Sequence, residues 1–348
     1  MNRRTKRRAA LALSAAALAA ATGVTAAGSA SGADAQGADA QGKSARAEGT
    51  RGAGAQEASA QGAGAQGASA RGANAQGAGA QDESAFAGSL DGADEVPVPG
   101  GPAVGDKDGK ALAVMRVQGD RVSFRFTFRG IAAPTAGHVH EGAKGQNGPV
   151  RIAFFTKEQP GGGHSVSGTV RVTDGALLER LRTEPRNFYF NLHTAEFPGG
   201  AVRGQVQGLA APHSAAGLDR SFQSSVVRGA QVYKCVNGAF VQDNVRAVLD
   251  RGIAHFFAKA GPQGPPAWLA ADRSAVTGKA VARFPNGERN IPELDLLATR
   301  AGRDRGLLSR TNEILRLNTA GGVAPSGACE EGRRAAVPYR ADYVFLGR

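Results

Sequence analysis

The clearest pattern in the chain is a strict alternation of polar and apolar residues over Arg121–Arg129. Period two places Val122, Phe124, Phe126 and Phe128 on one face, as expected of an antiparallel strand that is buried on one side. Gly-rich turns separate further short segments that predict strands, at Lys110–Val117, His138–His140, Val150–Phe155, Ser165–Val172, Asn187–His193 and Ala201–Gln207. Many short strands with regular turns predict a β-sandwich or a barrel.

One segment of this block has helical spacing instead. Leu177, Leu178 and Leu181 fall on one side of a helix over Asp174–Arg182, and Asp174 is a suitable N-cap. We therefore predict a single helix here.

A second block, residues 225–348, is also predicted to be mostly β. Its last segment, Pro338–Phe345, alternates between aromatic or small residues and more polar ones. Helices are predicted at Asn244–Arg251 and Ile291–Ala301. Residues 210–224, which include Pro212, are predicted to be a linker between the two blocks. The expected fold class is all-β, with two antiparallel β-sandwich or barrel-like domains.

Residues 31–84 differ sharply from both blocks. A five-residue period, ADAQG and its variants, runs ten times from Ala33 to Asp82, and no large apolar residue occurs between Thr25 and Ala85. Such a segment cannot bury enough apolar surface to offset the entropy of ordering, so we predict a disordered spacer.

Residues 1–30 have the order of a secretory signal peptide. A basic segment, Asn2–Arg8, precedes an apolar segment from about Ala9 to Ala21, and small residues follow. The apolar run is short and rich in alanine, so we expect no stable membrane span after signal cleavage. The sequence leaves open an uncleaved anchor, and it does not give the cleavage site.

The net charge limits the classes of partner that the protein is expected to bind. The formal net charge is +12, and the five basic residues of the predicted signal reduce 42 Lys and Arg to 37 against 30 Asp and Glu, a net charge of +7. This surplus favours anionic envelope polymers or lipid head groups only weakly. No block of Lys and Arg follows residue 8, so we predict no nucleic-acid binding.

The chain has two cysteines, Cys235 and Cys329. In an exported protein a pair of cysteines predicts one disulfide, here closing the second domain. Two free buried thiols are the alternative.

The histidines of the first block are the main candidates for chemistry. His138 and His140 share one face of a predicted strand, and His193 lies on the face opposite Phe190 and Leu192. If these faces meet, three imidazoles converge in a set that suits Cu or Zn, with His164 as a fourth candidate. The alternative is a structural role, in which the imidazoles brace turns and Arg203 pairs with Glu141 or Glu196.

Residues 85–209 resemble the chordin-type domain, CHRD. The motifs that carry the resemblance, in chain order, are Phe86–Gly92, Glu95–Pro97, Gly137–Gly142, Gly148–Val150, Asn191–Thr194 and Phe197–Gln205. Ala201 stands where the family often has an acid. The resemblance implies an exported protein and a β fold, and it implies no activity.

Residues 225–348 resemble an uncharacterised domain of exported bacterial and fungal proteins. The motifs are Gly229–Cys235, Pro266–Trp268, Asp272–Ser274, Leu315–Gly322, Ala324–Pro325, Cys329 and Val337–Tyr343. Arg273 replaces the glycine that usually follows the aspartate, so we expect one altered turn.

Together these features predict a secreted or cell-surface, non-enzymatic binding protein, whose partner is an extracellular polymer or protein. Trp268, Tyr339 and Tyr343 are predicted to be exposed and to form a ligand surface, for example by stacking on sugars. No catalytic residue is predicted. The alternative is a Cu or Zn protein that uses His138, His140 and His193, because the His-Val-His-Glu string also resembles the copper-ligand strand of Cu/Zn superoxide dismutase, a redox enzyme.

Overall fold

The computed structural model describes residues 83–158, 163–259 and 264–348. The predicted signal peptide and residues 31–82 of the predicted spacer lie outside the described residues. Glu83 and Ser84, assigned above to the spacer, instead begin the first strand. In the described part of the chain, no helix has the length and apolar character needed to cross a bilayer.

The fold is all-β, as predicted, and begins with a nine-stranded antiparallel sheet. The strands run in the order β5-β4-β7-β8-β1-β2-β3-β6, and β9 pairs with β1. Their bounds are β1 Glu83–Asp91, β2 Lys110–Gln118, β3 Arg121–Arg129, β4 Ala136–Glu141, β5 Val150–Phe155, β6 Ser165–Arg171, β7 Phe188–His193, β8 Val202–Gln205 and β9 Gln207–Gly208.

The alternation noted in the sequence decides which face of this sheet is buried. Phe124 and Phe126 of β3 point into a core that also holds Phe154 of β5 and Phe190 of β7. The Phe124 and Phe154 rings stack with centroids 4.4 Å apart, although their strands lie near opposite ends of the sheet order. The sheet is therefore strongly curved around its own core.

The helix α1, Gly175–Thr183, covers part of the same core. The Asp174 side chain caps it by accepting a hydrogen bond from the Leu177 amide, and Leu177, Leu178 and Leu181 are buried. These features confirm the helix prediction.

The second domain is a closed eight-stranded antiparallel barrel in which every strand pairs with its sequence neighbours and β17 returns to β10. A short helix, α2, at Ala215–Leu218 precedes it. The strand bounds are β10 Phe222–Val236, β11 Ala239–Leu249, β12 Ile253–Phe257, β13 Pro266–Leu269, β14 Ala275–Phe284, β15 Glu293–Arg300, β16 Thr311–Gly321 and β17 Arg334–Gly347.

The two helices predicted in this domain are wrong. Residues 244–249 belong to β11, and residues 293–300 form β15. In β11 the buried residues Val245, Ala247 and Leu249 are spaced by two, which is strand periodicity. Short apolar runs fit either period, and barrel closure selects the extended form.

Cys235 of β10 and Cys329 form a disulfide, as predicted. Their Cα atoms are 5.9 Å apart, and the two residues are 94 positions apart in sequence. The bond joins the end of β10 to the segment before β17, its neighbour in the barrel.

The sheet and the barrel pack against each other. Leu112 and Val114 of β2 form an apolar cluster with Leu315 of β16 and Val344 of β17. Polar contacts surround it: the buried Glu293 carboxylate accepts hydrogen bonds from Arg186 at 2.7 Å and from Lys144 at 3.1 Å.

The segment predicted as a linker, residues 210–224, is ordered along the barrel. It includes α2 and the first residues of β10. The Glu313 carboxylate accepts hydrogen bonds from the Ala210 and Ala211 amides, and the buried His213 ring lies 2.7 Å from it. The segment is thus held to the barrel by a buried side chain.

Candidate functional site: a three-histidine cluster

The register of β4 and β7 brings the three candidate histidines together. Because the two strands are antiparallel neighbours, His138 lies opposite Asn191, and Ala136 lies opposite His193. Gly137 and Val139 are buried on the core face of β4, so the side chains of His138 and His140 lie on the outer face. His193 emerges on the same face because Leu192 is buried.

The imidazoles are close enough to act as one group. His138 Nδ1 lies 3.1 Å from His193 Nε2, and one nitrogen from each of the three rings lies within 4.8 Å of the others. All three side chains are half-buried. Partial exposure leaves room for a solvent molecule beside a bound ion.

Two of the rings are fixed by backbone carbonyls. His140 Nδ1 lies 3.0 Å from the Gly148 carbonyl oxygen, and His193 Nδ1 lies 3.0 Å from that of Pro198. A carbonyl only accepts, so each Nδ1 carries the proton and each Nε2 keeps its lone pair. His140 Nε2 is buried and has no hydrogen-bond partner.

Burial also keeps the rings neutral. Desolvation, followed by the proximity of His193 and His140, lowers the pKa of His138 to about 4. Desolvation likewise lowers the pKa of His140 and of His193. A neutral imidazole is the form that binds a metal ion.

Arg203 of β8 organises the loop that holds His140. Its guanidinium donates to the Gln146 carbonyl at 2.6 Å, the Ala143 carbonyl at 3.2 Å and the Asn147 side chain at 3.1 Å. Its side chain is only 2% exposed and lies over the Tyr189 ring. Arg203 therefore positions the loop that ends at Gly148.

The predicted pairing of Arg203 with Glu141 or Glu196 is wrong. Within the described residues, no carboxylate lies within salt-bridge distance of Arg203, whereas Glu141 pairs with Arg151 at 3.2 Å and Arg180 at 3.3 Å. The planar guanidinium finds carbonyl partners in the tightly turned loop, and these replace an acid.

The sequence patterns did not identify two residues that lie beside the cluster. Asn191 of β7 lies between the histidines in register, and its side chain donates to Glu95 at 3.3 Å. Desolvation raises the pKa of Glu95 to about 8, although Arg203 opposes the shift. Alternation along β7 could have placed Asn191 on the face of His193, but Glu95 comes from a loop and no pattern indicates its position.

His164 does not join the cluster. It is exposed just before β6, where its carbonyl accepts a hydrogen bond from the Phe128 amide. β6 pairs with β3, at the far end of the sheet order from β4. The order of the histidines in the sequence does not indicate that His164 is separated from the other three in the sheet.

The prediction that Trp268, Tyr339 and Tyr343 are exposed is also wrong. Trp268 is 1% exposed, Tyr339 4% and Tyr343 0%. All three belong to the core of the barrel. Alternation places these rings on one face of their strands but does not say which face is inside, and closure of the barrel turns that face inward.

The chain is thus a tandem all-β protein with a histidine cluster on the outer face of its first sheet. Residues 86–206 match the family model of the CHRD domain, and residues 241–347 match that of a protein of unknown function, DUF3455. These matches confirm both resemblances in the predicted order. No curated protein and no solved structure matches the chain.

Proposed function

We propose that the protein is an extracellular binding protein that holds one divalent transition-metal ion, zinc or copper, on His138, His140 and His193. The observation that carries the proposal is the buried His140 Nε2, which has no hydrogen-bond partner and lies in a cluster of three imidazoles. A buried polar atom without a partner is rare in native proteins.

The surroundings of the rings support the same conclusion. Histidine ligands commonly donate their second ring N–H to a carbonyl, which fixes the tautomer and orients the lone pair toward the metal. His140 and His193 both make this contact. When the metal binds, a bond from the third ring, His138, to the ion replaces its short contact with His193.

Binding requires a small contraction of the cluster. Zn–N bonds of about 2.0–2.1 Å at tetrahedral angles place ligand nitrogens roughly 3.4 Å apart. His138 Nδ1 and His193 Nε2 are 3.1 Å apart, and one nitrogen from each ring lies within 4.8 Å of the others. A shift of at most about 1.4 Å in one ring therefore brings the nitrogens to the spacing of a zinc site. Three imidazoles leave a fourth position for water or for a group from a partner.

An extracellular location is supported by the disulfide, since such bonds persist in oxidising compartments. The export-type sequence of residues 1–30 points the same way. We infer that the metal ion and the barrel serve binding to an extracellular polymer or protein, and we assign no catalytic residue.

The test is calorimetric titration of the metal-free protein with Zn²⁺ and, separately, with Cu²⁺. We expect one ion per chain, and at least a hundredfold weaker binding in His140→Ala. His164→Ala is the matched control, because it removes an exposed histidine of the same domain and should bind like the wild type.

Equal affinity in His140→Ala and the wild type would contradict the proposal, as would an absence of binding in the wild type. Equal losses in His140→Ala and His164→Ala would also contradict it, because the effect would not be specific to the cluster. Circular dichroism of each variant separates lost binding from lost folding.

A further inference from the structure

The interior of the barrel contains a cavity of about 440 Å³. All eight strands contribute lining residues, so the cavity occupies the lumen of the barrel, and it opens to solvent beside the exposed side chains of Lys279 and Arg283. Eight-stranded barrels are just wide enough to hold one small ligand. The volume lies within the usual range for small-molecule sites.

One wall of the cavity is aromatic. The Trp268 ring stacks on His255 with centroids 4.4 Å apart and meets the edge of Tyr343 at 5.6 Å. Phe257 and Leu296 continue this wall. Such a surface accommodates a flat aromatic or an aliphatic group.

Two buried donors in this cavity have no hydrogen-bond partner. They are Trp268 Nε1 and Gln231 Nε2, on side chains that are 1% and 0% exposed. Gln242 Nε2 donates to Gln231 Oε1 at 2.6 Å, which orients the Gln231 amide. Both unpaired groups are N–H donors, so their complement is a hydrogen-bond acceptor.

The charge of the lining has one sign. Arg316 is 8% exposed, and its Nε and Nη2 donate to the Pro292 carbonyl. In the part of the chain that the structure describes, no carboxylate lies within salt-bridge distance of Arg316, and none lines the cavity, whereas Lys279 and Arg283 do. A largely buried cation without a counterion favours an anionic occupant.

We propose that the lumen of the barrel binds a small organic anion with an aromatic or aliphatic body. The anionic group meets Arg316 and the unpaired donors, and the apolar body lies along Trp268 and Phe257. This site belongs to the second domain and does not depend on the histidine cluster.

Trp268 provides the readout because it is the only tryptophan of the chain. The full chain, freed of metal with a chelator, is titrated with anilinonaphthalene sulfonate, an aromatic anion, and with the neutral phenylnaphthylamine. We expect the sulfonate to quench Trp268 emission with one site per chain, and the neutral probe to bind at least about tenfold more weakly.

Two variants locate the binding. Ala280→Phe places a ring among the lining residues and should reduce sulfonate affinity at least about tenfold. Arg316→Gln should remove most of the preference for the anion over the neutral probe. Arg310→Gln is the matched control, since Arg310 precedes the same strand, is exposed and does not line the cavity.

The proposal is overturned if the sulfonate leaves Trp268 emission unchanged, if it binds Ala280→Phe as well as the wild type, or if the neutral probe binds equally. Melting curves check that Arg316→Gln folds, and Ala280→Phe decides the question if it does not. His140→Ala should bind the sulfonate with the affinity of the wild type. A failure of the anion-binding proposal is therefore distinguishable from a failure of the metal proposal.

Discussion

The Arg203 guanidinium lies 3.5 Å from the centre of the Tyr189 ring, over its face. Tyr189 in turn stacks on His140 with centroids 4.8 Å apart and an interplanar angle of 11°. A side chain of β8 is thereby connected through β7 to a candidate metal ligand of β4. The same arginine holds the loop whose Gly148 carbonyl lies 3.0 Å from His140 Nδ1.

We predict that Arg203→Lys weakens zinc or copper binding about 10- to 100-fold, the range typical of residues that orient metal ligands. Lysine keeps the charge but cannot make the forked contacts to the Gln146, Ala143 and Asn147 oxygens. Calorimetric titration measures the change. Arg151→Lys is the control, because Arg151 contacts Glu141 on β4 and none of the histidines; if both variants bind equally well, Arg203 does not position the site.

The second prediction concerns Glu95 and pH. Burial raises the folded-state pKa of Glu95 to about 8, above its ordinary value of 4.5. The folded state therefore keeps a proton that the unfolded state releases, and this contribution to stability is lost as the pH rises from 4.5 toward 8. Glu95→Gln, which stays neutral, should match the wild type near pH 4.5 and exceed it in unfolding free energy above pH 8.

Urea denaturation of the wild type and Glu95→Gln across this range measures the difference. A gap that grows with pH supports the assignment, because only the wild type titrates at this position. A difference that is constant with pH would show that the Glu95 pKa is not raised in the folded protein.

The third prediction concerns the disulfide. Replacing both Cys235 and Cys329 by serine should lower the unfolding free energy by about 4–5 kcal/mol, since the bond closes a long loop in the unfolded chain. Denaturation with and without a reductant checks this. The reductant should destabilise the wild type and leave the double variant unchanged; an equal effect on both would argue against a disulfide.

The fourth prediction concerns the turn between β13 and β14. Arg273 has φ 67°, in the left-handed region that disfavours side chains, at the position where the sequence resemblance expects glycine. Arg273→Gly should raise the unfolding free energy by about 1 kcal/mol. Arg303→Gly, in an exposed loop nearby, should give no such gain in the same denaturation experiment, and a loss of stability in Arg273→Gly would show that the arginine is not strained.

Period-two alternation predicted most of the first sheet because one of its faces is buried and the other is more polar. It also placed His138 and His140 on one face and His193 opposite Leu192. It did not identify β1, whose residues from Ala87 to Leu90 are all buried because the barrel covers the outer face. A strand buried on both faces loses the alternation that identifies it.

The wrong sequence-based predictions have a common cause: each depends on how elements distant in the sequence pack against one another. The sequence contained no signal that the barrel encloses Trp268, that His164 lies beside β6 and far from β4 in the sheet order, or that loop carbonyls take the place of Glu141 beside Arg203. Arg316 and Gln231 in the lumen were missed for the same reason, since an isolated polar residue in a strand is normally taken to face solvent.

The most direct test of the metal proposal is the metal content of the purified protein, measured by mass spectrometry beside the variant His138→Ala/His140→Ala. We expect close to one zinc or copper per wild-type chain and none in the variant. Metal-free wild-type protein whose melting temperature does not change on adding Zn²⁺ or Cu²⁺ would contradict it and leave the three histidines with a structural role.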